Sequence, residues 1–147
     1  MKPLTLLCAV LLATPVFAED PAAKVVDLKA PQAIELVKKE AAAAKADPKK
    51  APLTVLDVRT PEEYAKGHLA GAKNVDFHDD AFKDMIAKLD KSQPYLVHCA
   101  AGGRSAKARD LMKALGFQNI FHLEGGMTAW QKAGGPVVEA GDAPAKP

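Results

Sequence analysis

Cys99 lies in a short segment that could hold a reactive, anionic sulfur. Residues 95–105 read Tyr-Leu-Val-His-Cys-Ala-Ala-Gly-Gly-Arg-Ser, the order of a strand, a small glycine-containing loop and a helix start. In such a loop, successive backbone N–H groups can turn inward and form an anion-binding concavity, and the helix adds the positive end of its dipole. Thiols in these surroundings have lowered pKa values. The segment predicts a nucleophilic thiolate at Cys99, the alternative being a buried and inert cysteine on a core strand.

Three basic residues crowd the first turns of the helix predicted after this loop: Arg104, Lys107 and Arg109. Cations normally avoid a helix N-terminus because the dipole is positive there, and a local rule broken at one position suggests function. We expect an anion bound in the loop to be the missing partner of Arg104. The alternative is that Arg104 is merely solvated, and we interpret Lys107 and Arg109 as ordinary surface charges.

Strand and helix patterns alternate around this segment. Apolar runs predict strands over residues 25–27, 53–58, 74–77, 95–98 and 119–123, and amphipathic runs predict helices over residues 31–46, 82–89, 105–115 and 127–133. A further short helix is predicted after Thr60, which forms a capping box with Glu63 and precedes Pro61. This alternation indicates an α/β sandwich with a mainly parallel sheet. Ligands bind beyond the carboxyl ends of strands in such sheets, which directs attention to the residues after Val58 and His98.

The two ends of the chain differ in composition from the part between them. Residues 1–18 read as a secretory signal peptide, with a positive start, a short apolar run and a small residue at the cleavage site. The run is shorter than the roughly 20 residues of a membrane span, so no stable anchor is expected; an uncleaved anchor is the alternative. Residues 19–24 are predicted to be a flexible leader, residues 25–138 the domain and residues 139–147 a flexible tail. We therefore expect an exported chain, periplasmic if its source is a Gram-negative bacterium.

The composition narrows the class of partner. A length of 147 residues suits one domain, and the formal net charge of +2 is close to neutral. No basic run interleaved with aromatic residues is visible, so neither nucleic acid nor an anionic membrane is expected as a partner. Removal of residues 1–18 would remove Cys8 and leave Cys99 without a second cysteine for an internal disulfide.

Three segments together resemble the rhodanese family. Residues 98–105 resemble its active-site loop, C-x-x-G-x-R-S. Residues 56–74 are similar to its D-V-R…E-Y…G-H-I-P-G-A-x-N signature, and residues 123–130 resemble its closing L-x-G-G-x-x-x-W. The segments follow the family's order, and the resemblance covers about residues 25–138. It implies a rhodanese-like three-layer sandwich, in which a mainly parallel sheet of about five strands is flanked by helices.

The same resemblance implies a ping-pong sulfur transfer. The Cys99 thiolate would attack the outer sulfur of thiosulfate or a similar donor, sulfite would leave, and the persulfide on Cys99 would pass its sulfur to cyanide or a thiol acceptor. An acceptor protein would be served by the same chemistry. Neither a metal nor an organic cofactor is implied. The resemblance implies five substrate-binding residues: Ala100, Ala101, Gly102, Gly103 and Arg104. Their N–H groups would stabilise the anionic sulfur, and the Arg104 guanidinium would orient the donor's sulfonate.

Asp57 and Arg59 occupy the D-V-R positions and are predicted to be supporting residues. We expect Asp57 to brace loops by accepting backbone hydrogen bonds. Arg59 could contribute to the rim of the site, and an ion pair with Glu62 or Glu63 is the alternative.

Two other functions stay open. Dual-specificity phosphatases, some of which share this fold, place five residues between cysteine and arginine, whereas four separate Cys99 from Arg104. The smaller cradle fits a sulfur atom better than a phosphate group. A non-catalytic rhodanese-like binding module is the other alternative, and the intact Cys99 argues against it. Ala100 and Ala101 are neutral where some rhodaneses carry cations, so we expect a modest affinity for thiosulfate.

Overall fold

Five strands form one parallel sheet in the structure, a computed structural model that describes residues 23–139. They are β1 (Lys24–Leu28), β2 (Thr54–Asp57), β3 (Lys73–Asn74), β4 (Pro94–His98) and β5 (Asn119–Leu123). The spatial order is β1-β5-β4-β2-β3, and every neighbouring pair is parallel. The carboxyl ends of all five strands therefore lie at one edge, which brings the residues after β2 and β4 together.

Helices cover both faces of this sheet. They are α1 (Ala30–Ala46), α2 (Pro61–Ala65), α3 (Phe82–Ala87), α4 (Gly103–Ala114) and α5 (Gly126–Lys132). The predicted capping box of α2 is confirmed: Thr60 Oγ1 accepts the N–H of Glu63 at 3.3 Å, and Glu63 Oε2 accepts the N–H of Thr60 at 3.0 Å. This box fixes the direction in which the chain leaves β2, and it holds Glu63 at the carboxyl edge of the sheet.

The buried apolar side chains divide into two clusters, one on each face of the sheet. Neighbouring residues of a strand point to opposite faces, so Leu96 packs with α1 and α5 while Val97 packs with α3 and α4. Trp130 is the largest fully buried side chain on the α1 and α5 face, and Phe117 the largest on the other. The arrangement is a three-layer α/β sandwich, which confirms the fold predicted from the sequence.

Several element boundaries differ from the sequence prediction. The strand predicted over residues 74–77 is shorter, because beyond Asn74 the chain keeps only isolated bonds, from Val75 N–H to Asp57 at the end of β2 and from Phe77 N–H to Val58. The helix predicted to begin at Ser105 begins at Gly103, since Gly102 turns the chain with a φ of +101°. Lys24 begins β1 and does not belong to a leader.

The predicted signal peptide, residues 19–22 of the leader and residues 140–147 of the tail lie outside the described residues. Within residues 23–139, no helix combines the length and the apolar character that a membrane crossing requires.

Candidate active site

Cys99 is the first residue after β4 and sits at the carboxyl edge of the sheet. Only 1% of its surface is exposed, and its Sγ accepts a hydrogen bond from the N–H of Gly102 at 3.1 Å. The hydroxyl oxygen of Ser105 lies 3.4 Å from the same sulfur. Donors from the loop and from the first turn of α4 therefore converge on one sulfur atom.

These donors control the ionisation of the thiol. Burial raises the pKa of Cys99, but hydrogen bonds from the Ser105 hydroxyl and from the N–H groups of Ser105, Gly102 and Ala101 outweigh burial, so the pKa is lowered overall. A lowered pKa increases the fraction of thiolate near neutral pH, and the thiolate is the nucleophilic form of cysteine. The site is therefore able to present an activated sulfur.

The N-terminal turn of α5 supports the loop from behind. The carbonyl oxygen of Cys99 accepts the N–H of Met127 at 2.8 Å, and that of Ala100 accepts the N–H of Thr128 at 3.1 Å. Gly126 permits this approach, because its φ is +55° and a Cβ atom there would overlap the Cys99 carbonyl oxygen. The glycine pair of residues 125–126 therefore positions the cysteine loop, a role that the sequence pattern alone did not assign.

Arg104 has an internal partner. Its two terminal nitrogens donate to the carboxylate of Glu63 at 2.7 and 2.8 Å. Hydrogen bonding from Arg104 is the main reason why the pKa of Glu63 is lowered to about 2, against a smaller effect of burial that raises it. The premise that Arg104 lacks a partner within the chain is wrong, because a carboxylate from α2 accepts from its guanidinium. Binding of an anion in the loop stays a prediction. No local spacing pattern points to this pair, because Glu63 and Arg104 lie 41 residues apart in the chain.

Asp57 and Arg59 form a buried ion pair behind the site. The Arg59 guanidinium donates to Asp57 through Nε at 2.9 Å and through NH2 at 2.6 Å, and it also donates to the carbonyl of Gly67 at 2.7 Å. Asp57 in addition accepts the N–H of Arg59 at 3.0 Å. The alternative of an ion pair between Arg59 and Glu62 or Glu63 is wrong, and with 6% of its surface exposed Arg59 does not form a rim. The pair instead ties the end of β2 to the loop before β3.

His98 is fully buried between Asp57 and the cysteine loop. Its Nε2 has no hydrogen-bond partner and lies 3.6 Å from an Asp57 carboxylate oxygen. Burial lowers the pKa of His98 despite the attraction of Asp57, which favours the neutral imidazole. His98 is therefore a packed residue at the end of β4, next to Cys99.

A second set of polar side chains, which no sequence motif singled out, lies behind Cys99. The Ser105 hydroxyl oxygen lies 2.9 Å from His122 Nε2, and His122 Nδ1 lies 2.9 Å from an Asp27 carboxylate oxygen. Asp27 and His122 are cross-strand neighbours on β1 and β5. The available signal was a polar residue after two apolar ones in each strand, Asp27 after Val25 and Val26, and His122 after Ile120 and Phe121.

Among residues 23–139, no group of three or more histidine, cysteine, aspartate or glutamate side chains is arranged to hold a metal ion.

Comparisons with known proteins agree with this geometry. A family model of the Rhodanese-like domain matches residues 38–133. Thiosulfate sulfurtransferase GlpE of Pseudomonas putida is 35% identical over 100 residues, which cover 68% of this chain and 79% of that protein.

Two solved structures share the fold. A rhodanese-related protein of Thermoplasma volcanium matches with a TM-score of 0.62 and 32% identity, over 77% of this chain and 97% of that one. A Rhodopseudomonas palustris protein of unknown function, described as a possible tyrosine phosphatase, matches with a TM-score of 0.58 and 26% identity, over 78% of this chain and 85% of that one. Because the family model spans most of the sheet, the cysteine loop and the helix that supports it, this chain belongs to the rhodanese-like domain family.

Proposed function

We propose that this chain is a sulfurtransferase that carries sulfane sulfur as a persulfide on Cys99. The observation that carries the proposal is the Cys99 sulfur, buried in a backbone cradle 3.1 Å from the N–H of Gly102 and held with a lowered pKa. The name of the Pseudomonas putida relative, a thiosulfate sulfurtransferase, supports the same assignment.

The reaction that we propose needs no proton at its central step. The Cys99 thiolate attacks the outer sulfur of thiosulfate, the sulfur–sulfur bond of the donor breaks, and sulfite leaves with the bonding electron pair. The product is an anionic persulfide, which the inward-pointing N–H groups of the loop stabilise as an oxyanion hole stabilises oxygen. Cyanide or a thiolate then attacks the outer sulfur and regenerates the Cys99 thiolate, so one difficult transfer becomes two easier ones.

The site offers little free positive charge for binding a dianionic donor such as thiosulfate. Ala100 and Ala101 are neutral, and two nitrogens of the Arg104 guanidinium are already bonded to Glu63. An incoming dianion must share Arg104 with that carboxylate. We propose a modest affinity for thiosulfate. The same persulfide would serve turnover of small thiols and delivery to an acceptor protein.

A phosphatase is the second candidate, because the Rhodopseudomonas palustris protein of the same fold is described as a possible tyrosine phosphatase. Two features oppose it. Four residues separate Cys99 from Arg104, which makes a cradle suited to a sulfur atom, and Glu63 occupies the arginine fork that would clamp a phosphate group. Release of phosphate from p-nitrophenyl phosphate by the wild-type protein, and not by Cys99→Ser, would favour the phosphatase.

We also propose that the chain is exported. The apolar run and cleavage pattern of residues 1–18 support export, and the periplasm follows if the source is a Gram-negative bacterium. Secretion of the chain with and without these residues, compared by fractionation, tests this point.

Intact-mass spectrometry after incubation with thiosulfate tests the sulfurtransferase. The wild-type protein is expected to gain the mass of one sulfur atom and to lose it again on addition of cyanide. The chain without residues 1–18 is the matched control, since it lacks Cys8, the other cysteine of the sequence, and it should gain the same mass. Gain of sulfur by Cys99→Ser, or no gain by the wild type, would contradict the proposal.

A further inference from the structure

We propose that Ser105, His122 and Asp27 form a proton relay that removes the thiol proton of Cys99. The four side chains lie in one line: Cys99 Sγ to Ser105 Oγ is 3.4 Å, Ser105 Oγ to His122 Nε2 is 2.9 Å, and His122 Nδ1 to Asp27 Oδ1 is 2.9 Å. The inference rests on the proposed function only in taking Cys99 as the nucleophile.

The far end of the line fixes the tautomer of the imidazole. A carboxylate can only accept hydrogen bonds, so Nδ1 of His122 must carry a proton and donate it to Asp27. In the neutral imidazole, Nε2 is then a free acceptor that faces the Ser105 hydroxyl. Ser105 can donate to His122 and accept from the Cys99 thiol at the same time, so the line is fully hydrogen-bonded before any proton moves.

Proton transfer along the line keeps every hydrogen bond. The S–H bond of Cys99 breaks as its proton passes to Ser105 Oγ, and the original hydroxyl proton of Ser105 passes to His122 Nε2. The products are a thiolate and an imidazolium. Ser105 now donates to the thiolate, while His122 donates to Ser105 and to Asp27. The thiolate receives the Ser105 donor only in the state in which His122 is protonated.

Burial and charge around the line favour this transfer. Ser105 is fully buried and His122 is 5% exposed, whereas the Asp27 side chain is 45% exposed, so Asp27 is where the line meets water. Burial raises the pKa of Asp27, but hydrogen bonds from Arg109 and His122 outweigh it and keep this carboxylate ionised. An ionised carboxylate stabilises the imidazolium that forms beside it.

One other acceptor competes with His122 for the Ser105 hydroxyl proton. The Gly102 carbonyl is a second acceptor for the Ser105 hydroxyl, at 3.1 Å against 2.9 Å for His122. The charged groups that face the line from the packed elements are Asp27 on β1, Arg109 and Asp110 on α4, and the Arg104–Glu63 pair beside the sulfur.

The pH dependence of Cys99 alkylation by iodoacetamide tests the relay, followed on the Cys99 peptide by mass spectrometry. In His122→Gln the side chain keeps a polar amide near Ser105 but takes up no proton. The alkylation rate near pH 7 is expected to fall about tenfold, equivalent to a rise of about one pKa unit. At about pH 10, where the thiol is ionised in both proteins, the rates are expected to be equal.

A merely structural role gives a different result. A His122→Gln profile that coincides with that of the wild type, or that is lower by one factor at every pH, would overturn the relay. Should His122→Gln fail to fold, Asp27→Asn decides, and a smaller shift in the same direction is expected because the imidazolium loses its counter-charge. Asp110→Asn is its matched control: it also removes a carboxylate bonded to Arg109 but leaves His122 untouched, and its profile should equal that of the wild type.

Alkylation needs no sulfur donor, so the relay and the proposed function can fail separately. A wild-type protein whose alkylation depends on His122 but which gains no sulfur from thiosulfate would support the relay and contradict the sulfurtransferase. If the wild type gains sulfur from thiosulfate but His122→Gln leaves the alkylation profile unchanged, the sulfurtransferase is supported and the relay is contradicted.

Discussion

At the residue scale, the site places the Arg104 guanidinium beside the Cys99 sulfur, and two of its nitrogens already donate to Glu63. Hydrogen bonding to Glu63 is the main reason why the pKa of Arg104 is raised, and attraction to the Cys99 sulfur adds to it. The arginine is therefore shared between a permanent carboxylate and whatever anion enters the loop. Such a pair moderates the grip on a dianionic donor without removing the positive charge that favours the thiolate.

Neutralising Glu63 should release the arginine. In Glu63→Gln the side-chain oxygen can still accept the N–H of Thr60, so the capping box of α2 survives, but the charge that competes for Arg104 is gone. We expect the KM for thiosulfate to fall about threefold, since a partly exposed ion pair is worth about 0.2–1 kcal/mol and tenfold corresponds to about 1.4 kcal/mol. Steady-state kinetics with thiosulfate and cyanide measure this change.

Glu62→Gln is the control for this prediction. Glu62 is the neighbouring carboxylate on the same helix, is exposed, and makes no ion pair with Arg104. Its KM should match that of the wild type. An equal fall in both variants would indicate a general effect of net charge, and no fall in Glu63→Gln would show that Glu63 does not restrain Arg104.

At the element scale, patterns that act over a few residues were predictable and pairings between distant elements were not. The capping box at Thr60 and the bounds of β5 follow from local residue types, and the structure has both. The start of α4 was misplaced because the left-handed conformation of Gly102 lets the helix begin at once. The contacts of Glu63 with Arg104 and of Asp27 with His122 depend on strand order, which no local pattern specifies.

Gly126 gives an element-scale prediction, because it lets α5 touch the cysteine loop. Gly126→Ala would force a Cβ into the Cys99 carbonyl and strain a residue whose φ is +55°. We expect the free energy of unfolding to fall by about 3 kcal/mol, above the roughly 1–2 kcal/mol that a left-handed backbone costs an alanine. Urea denaturation measures the loss, and Cys99 alkylation reports whether the loop has moved.

Gly116→Ala separates the two causes. Gly116 also has a positive φ, +86°, but a Cβ there would meet nothing within 4 Å. Only the backbone cost of about 1 kcal/mol is expected, with alkylation of Cys99 unchanged. Equal losses in the two variants would mean that the contact between α5 and the loop contributes nothing.

At the scale of the whole molecule, the site is assembled from strands that we expect to differ in their protection from hydrogen exchange. β4 lies in the middle of the sheet and leads directly into Cys99, while β1 lies at an edge and carries Asp27. β4 is bordered by β5 and β2 and covered on both faces, so its amides are expected to open only with the whole domain. β1 has one neighbour, and its outer edge has no strand beside it within residues 23–139.

Native-state hydrogen exchange should reveal this difference. The amides of β4 are expected to exchange at least about tenfold more slowly than those of β1, because edge strands can open locally at lower free energy. β5, which lies between them, should resemble β4. Equal protection in β1 and β4 would show that the edge opens only when the entire sheet does.

The sheet order also has a consequence for the chain during its synthesis. β1 is made first but pairs with β5, which is made last, and Asp27 and His122 lie 95 residues apart. A ribosome must release almost the whole domain before the two can meet, and closing so long a loop is entropically costly and slow. A nascent chain that ends at α4 therefore carries Cys99 and Ser105 but lacks both His122 and α5, the helix that positions the cysteine loop. Its thiol is expected to be a poor nucleophile until folding is complete, which protects the growing chain from unwanted modification of that thiol.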